Sequence, residues 1–304
     1  MIIIGTRGSK LALWQANLVQ KKLADYIPES KIALRIIRTS GDNIQDRQLA
    51  SVGGKGLFVK EIEEALLSGD IDLAVHSMKD VPSVLPDGLH IGAVLEREDP
   101  RDVLISREKI GFFELPGGSR VGTGSLRRQV QINFLRYDLQ LVDIRGNVDT
   151  RLLKLQRGEY DAIVLASAGI NRLGLQSHVT EVFDVEQILP SPGQGIIGIE
   201  CRKDDSVVNN ILKNINDRKS QISVTAERDF VKRMGGDCNL PIACVCRFDN
   251  DDILVMTGLV ASIDGRRIIK HNIEGTINNY REISEGLANI ILGKGGKEIV
   301  DSYR

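Results

Sequence analysis

The chain has 304 residues, room for two domains of about 150 residues each or three smaller ones. Apolar residues at 42% and charged residues at 27% exclude a disordered, collagen-like or low-complexity chain. With 40 Lys and Arg against 41 Asp and Glu, the net charge of −1 lacks the basic excess of a general nucleic-acid binder.

The opening MIIIGTRGSK has no basic stretch and no small-residue cleavage site, so it does not read as a secretory signal. No apolar run approaches the ~18–20 residues needed to span a bilayer, so we expect a cytoplasmic protein with no membrane partner. A strand is predicted at 2–4, then a helix at 9–26 with Leu11, Trp14, Leu18 and Val19 at helical spacing and Ser9 as its cap. A strand at 33–37 leads into a long polar, glycine-rich connection at 40–58, followed by a helix at 57–67 that Gly69 ends. Further strands are predicted at 71–75, 90–95, 139–143, 162–165 and 196–200, with a helix at 126–135. This alternation predicts βαβ units with largely parallel sheets. Past residue 218 the pattern changes to a helix at 220–234, strands at 242–248, 253–261 and 267–273, and a closing helix at 280–302, which predicts a separate α+β domain.

Two stretches repeat. GTRGS after the first strand is echoed by GTGS at 122–125, and GDIDLAVHS at 69–77 by GEYDAIVLAS at 158–167. The echo predicts two similar α/β lobes around a cleft, although glycines and apolar strands are common to many βα units. EREDPRD at 96–102 and LPSPGQG at 189–195 have the composition of crossings between lobes.

Charge is uneven locally. Between Arg120 and Arg172 there are nine Lys and Arg, eight of them arginine, against five Asp and Glu. Single surface arginines are commonly just solvated, but the Arg127-Arg128 pair after GTGSL adds two planar forks to a helix amino end, which suits a polyanionic small molecule. HSMKDVP follows a predicted strand, and its Lys79 and Asp80 are either functional groups at a strand end or a solvated lysine and a turn cap. The 40–58 connection, with Lys55 in it and Lys60 just past it, is either a lid whose lysines close over an anion or a mobile loop with solvated lysines. Cys238, in the glycine-rich turn GGDCNLP, is either a thiol accessible to chemistry or, as a lone cysteine commonly is, a small buried residue, which is how Cys244 and Cys246 in the next strand read. The four cysteines form no CxxC and the histidines are dispersed, so we expect reduced thiols and no metal.

Taken in order, TRGSKLALWQ, GGKGLFVKE, DLAVHSMKDVP, EREDPRD, VGTGSLRRQ, RGNVDTRL, EYDAIVLASAG, GQGIIGIECR and VTAER followed by the Cys238 loop resemble the porphobilinogen deaminase (hydroxymethylbilane synthase) family over nearly the whole chain. The resemblance implies a transferase of tetrapyrrole (haem) biosynthesis. It would join four porphobilinogen molecules head to tail into hydroxymethylbilane, releasing four ammonia, on a covalent dipyrromethane cofactor. It implies Cys238 as the attachment point and Asp80 as the catalytic group that assists loss of ammonia. Ser77, Lys79, Thr123, Ser125, Arg127, Arg128, Arg145 and Arg151 match positions that hold the cofactor, and Arg7, Arg172 and Lys55 match positions that hold substrate carboxylates. The fold implied is α/β, with two periplasmic-binding-protein-like lobes of mixed sheets around a cleft, at 1–96 with 194–217 and at 97–193. A smaller C-terminal α+β domain at 218–304 would carry the cofactor cysteine. A monomer acting on porphobilinogen, with no nucleic-acid partner, completes the expectation. Gly124 stands where the family commonly has serine, and Asp237 where it commonly has glycine; an anion there opposes thiolate formation at Cys238. A binding protein that kept the arginines without turnover is the alternative, and it would need neither Asp80 nor Cys238.

Overall fold

The Ser9 hydroxyl accepts from the Ala12 amide at 3.2 Å, satisfying one of the donors that a helix start leaves unpaired. The computed structural model describes residues 1–43, 59–235 and 240–303. In chain order its elements are β1 (Ile2–Thr6), α1 (Lys10–Ala24), β2 (Ile32–Ile36), α2 (Ser40–Asn43), α3 (Lys60–Leu67), β3 (Leu73–Ser77), β4 (Leu89–Val94), β5 (Asp102–Ser106), β6 (Arg120–Gly122) and α4 (Leu126–Leu135). There follow β7 (Gln140–Val142), α5 (Val148–Gln156), β8 (Ala162–Ala166), α6 (Ser167–Arg172), β9 (Glu181–Val182), β10 (Ile197–Arg202), α7 (Ser206–Leu212) and α8 (Arg218–Arg233). The chain closes with β11 (Ile242–Phe248), β12 (Ile253–Ala261), β13 (Ile268–Thr276), α9 (Tyr280–Ile291) and α10 (Lys297–Asp301).

Two five-stranded sheets have the same plan. The first runs β2-β1-β3-β10-β4 and the second β7-β6-β8-β5-β9. In each, the first three strands are parallel and the last two pair antiparallel. The expectation of largely parallel sheets is therefore corrected to mixed ones. The fourth strand of each sheet, β10 or β5, arrives through one of the Pro-bearing segments rather than through a crossover helix, so nothing holds it parallel. The equivalence of β1 with β6 and of β3 with β8 is the origin of the two repeated motifs.

The chain divides into two compact units, Met1–Glu98 with Ile196–Gln221 and Asp99–Gly195 with Ile222–Arg304. In the first, α1 buries Gln15, Ala16, Val19 and Leu23, and the last three join Ile4, Leu73, Val75, Ile197 and Ile199 in one core. Each fully buried Val or Leu there contributes roughly 1.5–3 kcal/mol. Trp14, expected on that apolar face, is 38% exposed, because the helix turns its 15-16-19-23 stripe to the sheet instead. In the second unit one core gathers Leu104, Phe112, Val121, Val164 and Phe183, and another Ile105, Ile144, Leu152 and Ile163. The antiparallel sheet β11-β12-β13 belongs to the same unit and packs through Ala243, Val245 and Leu259 against Val130 of α4.

Other expectations shift. The strand predicted at 71–75 is β3 at 73–77, so His76 and Ser77 lie within it and only Lys79 and Asp80 stand in the turn beyond. The closing helix is broken at 292–296, where Gly295 adopts φ +102°, a conformation that costs a side-chain-bearing residue and costs glycine little. Gly69, with φ +78°, ends α3 as its position predicts. Residues 57 and 58 of the predicted second helix lie outside the described residues, as do Lys55 and Cys238. The short strands β5, β6 and β9 were not predicted.

Candidate functional site

The candidate residues fall into two groups, one on each unit. In the first unit β1 and β3 are parallel neighbours, so Arg7, which follows β1, and Ser77, Lys79 and Asp80 lie on the same edge of the sheet. Ser77 is fixed by the buried Gln15, whose Nε2 donates to its Oγ at 2.9 Å. The turn 78–80 is anchored by Met78. Its amide donates to Ile196 O at 3.0 Å, and its buried side chain lies over Gly198, where a Cβ would overlap the sulfur. Asp80 is thereby carried on a rigid turn with its carboxylate exposed.

Beneath that edge lies a buried polar pair missed in the sequence. His76 Nε2 stands 3.0 Å from Glu200 Oε2, both nearly inaccessible, and Glu200 Oε1 has no hydrogen-bond partner among the described residues. Burial, together with the Glu200 carboxylate and against the opposing effect of His76, raises Glu63 on α3 to about 7. No local signal marks this group, since the pair is 124 residues apart.

In the second unit Thr123 and Ser125 follow β6, Arg145 follows β7, and Arg172 is on α6, which follows β8, so the C-terminal edge of three parallel strands collects them with Arg151 of α5. Thr123 is fully buried and its Oγ1 accepts from the Ser125 amide at 3.3 Å. Ser125 is the N-cap of α4 but makes no side-chain capping bond, which leaves the helix amino end open to an anion. Arg151 Nε donates to Gly146 O at 2.8 Å, and Arg172 Nη2 to Gly195 O at 2.6 Å.

The sequence reading places Arg127 and Arg128 in or beside loops and helix starts; the structure buries both in the first turn of α4, each 5% exposed, around Asp102 at the start of β5. Arg127 Nη1 lies 2.7 Å from Asp102 Oδ2 and donates to Leu189 O at 2.7 Å. Arg128 Nη2 donates to Asp102 Oδ1 at 2.7 Å and its Nη1 to Val164 O at 2.9 Å, while Gln194 Nε2 reaches the same Oδ1 at 2.9 Å. Burial opposes ionisation of Asp102, but the two guanidinium groups outweigh it and hold the carboxyl far below the usual carboxylate range. Burial also lowers Arg127, against the pull of Asp102.

Among the described residues, one carboxylate against two guanidinium groups leaves a buried excess positive charge, and Nε of each arginine has no hydrogen-bond partner. This arrangement, at an uncapped helix amino end, fits a carboxylate-bearing group such as dipyrromethane, whose rings carry acetate and propionate. Asp102 was missed in the sequence because EREDPRD reads as a crossing; the apolar run VLIS after it was the available signal.

The family model described as porphobilinogen deaminase, dipyromethane cofactor binding domain, matches residues 2–210, and that of the porphobilinogen deaminase C-terminal domain matches residues 221–293. The chain belongs to the porphobilinogen deaminase family. It is 48% identical over 298 residues to a porphobilinogen deaminase of Pelobacter propionicus, covering 98% of this chain and 96% of the relative. Relatives of the same name from Nitratidesulfovibrio vulgaris (49% over 301 residues, 99% and 96% covered) and Syntrophobacter fumaroxidans (47% over 305 residues, 100% and 98%) agree. Among solved structures, the periplasmic VFT2 domain of Bordetella pertussis BvgS aligns at TM-score 0.42 and 13% identity, covering 76% of this chain and 92% of that one. As a member of the porphobilinogen deaminase family, the chain is a transferase of tetrapyrrole biosynthesis: it deaminates and condenses porphobilinogen into hydroxymethylbilane and uses a dipyrromethane cofactor. Cys201, Cys244 and Cys246 are buried, and burial pushes the Cys201 thiol up to about 12. No helix among the described residues is long and apolar enough to cross a membrane.

Proposed function

We propose that the candidate residues divide the work of this reaction as follows. Cys238 carries the primer, whose free pyrrole end supplies the acceptor for the first porphobilinogen. Ser77, Lys79, Thr123, Ser125, Arg127, Arg128, Arg145 and Arg151 hold its carboxylates, and Arg7, Arg172 and Lys55 those of the incoming substrate. Asp80, exposed on its anchored turn, places a negative charge beside the cation that develops as ammonia leaves and takes part in moving the proton. The observation that carries this reading is the buried excess charge of Arg127 and Arg128 over Asp102 at the open amino end of α4. A ligand without anionic groups would gain nothing from it.

We also propose that the chain works as a cytoplasmic monomer, in two lobes at 1–96 with 194–217 and at 97–193 and a C-terminal domain at 218–304. The deciding experiment is intact-protein mass spectrometry of the wild type beside Cys238→Ser, with peptide mapping. A mass excess of two linked pyrrole units in the wild type and none in the variant supports the assignment. An excess that survives in the variant moves attachment to another residue, and a wild type that never loads primer when given porphobilinogen sinks the cofactor reading.

A further inference from the structure

The turn between β7 and α5 is held along its backbone, and its arginine is gripped by a neighbouring carboxylate. Ile144 is buried at 1% exposure in the core of the second unit. The Tyr160 hydroxyl donates to Asp143 O at 2.8 Å, Arg151 Nε donates to Gly146 O at 2.8 Å, and Lys154 Nζ lies 3.4 Å from Arg145 O. Gly146 takes φ +108° with Thr150 packed where a Cβ would stand, so only glycine fits this turn comfortably. With these carbonyls held, the freedom left is in the side chains of Asp143 and Arg145.

Asp143 Oδ2 accepts from Arg145 Nε at 2.9 Å. Its other oxygen, Oδ1, lies 2.7 Å from where a Cβ on Gly124 would be, in the loop that leads into α4. Only Nε of the guanidinium is engaged, and Nη1 and Nη2 have no partner among the described residues. A carboxylate competing with a ligand for this arginine would take the paired edge; this one takes a single donor and leaves the two Nη groups for bidentate recognition.

We propose that Asp143 is a positioning residue that aims Arg145 at a ligand carboxylate, and that Gly124 is the residue whose missing side chain makes room for it. The inference rests on the reading of Arg145 as a carboxylate-binding residue. Because both side chains are partly exposed, at 39% and 28%, the effect is modest, about two- to fivefold in the ligand concentration required.

The test uses the full chain produced without primer, titrated with porphobilinogen while intact mass follows primer loading. Asp143→Ala raises the half-loading concentration about two- to fivefold. Asp143→Asn, which keeps an acceptor oxygen, restores most of the loss. Gly124→Ala reproduces the defect without adding to that of Asp143→Ala. Arg145→Gln raises the half-loading concentration and makes Asp143→Ala silent. If Arg145→Gln raises it and Asp143→Ala does not, this inference fails and the reading of Arg145 stands; if Arg145→Gln leaves it unchanged, both fail. A lower half-loading concentration in Asp143→Ala would mean competition rather than positioning, and a defect that persists in the Arg145→Gln background would mean a merely structural role. Either result overturns the proposal.

Discussion

Replacing Asp102 with asparagine keeps the shape of the side chain and removes the one charge that two buried arginines share. Breaking a buried ion pair by removing one partner costs about 3–5 kcal/mol, because the other is left uncompensated; here Arg127 and Arg128 are left together. In a unit of this size each kcal/mol shifts the melting temperature by about 2–4 °C, so a drop of roughly 6–20 °C is expected, read by thermal melts and by urea midpoints. The charge inventory supplies an internal control. Arg128→Met leaves Asp102 one-to-one with Arg127, so it should cost less than Asp102→Asn. The pH dependence follows from the depressed native pKa of Asp102: its stabilisation is fully present above the ordinary carboxylate value of 3.8 and is lost as pH falls toward the much lower native one. The Asn variant should therefore show a shallower acid slope below about pH 4. A loss under about 1 kcal/mol, a loss smaller than that of Arg128→Met, or an unchanged acid slope would refute the account of this cluster.

Glu63 has the opposite sign: its native pKa of about 7 lies above the ordinary 4.5, so ionising it in place costs stability progressively as pH rises through that window. Glu63→Gln should flatten the fall in melting temperature between pH 4.5 and 7, and an unchanged slope would reject the assignment. Gly198→Ala sets a methyl against Met78 and should cost about 1–3 kcal/mol while disturbing the turn that carries Asp80, seen as a lower melting temperature together with a lower kcat. Asp80→Asn, at an exposed position, should leave the unfolding free energy within about 0.5 kcal/mol of wild type and lower turnover about 10²–10⁴-fold; near-normal turnover would remove Asp80 from the chemistry.

Much of this molecule is legible along the chain, because its signals are local. Ser9 caps α1, Gly69 ends α3, and the helix expected after GTGS at 126–135 is α4 at those residues. The paired GTRGS and GTGS motifs predict a repeated lobe, and contiguous motifs predict the family. Cys244 and Cys246, read as small buried residues of a strand, are buried in β11. Periodicity reports which face of an element is apolar, but not what a polar side chain on that face will meet. Arg128 finds Asp102 across 26 residues, and His76 finds Glu200 across 124. Both partners stand on β5 or β10, the strands that enter their sheets antiparallel in fourth place. Tertiary structure alone decided that insertion, and with it the burial of two arginines that read as helix-start or loop residues. The physical reason is that a buried charge is tolerated only where another segment supplies its counter-charge, and a distant strand's arrival is not encoded in the spacing around the charge itself.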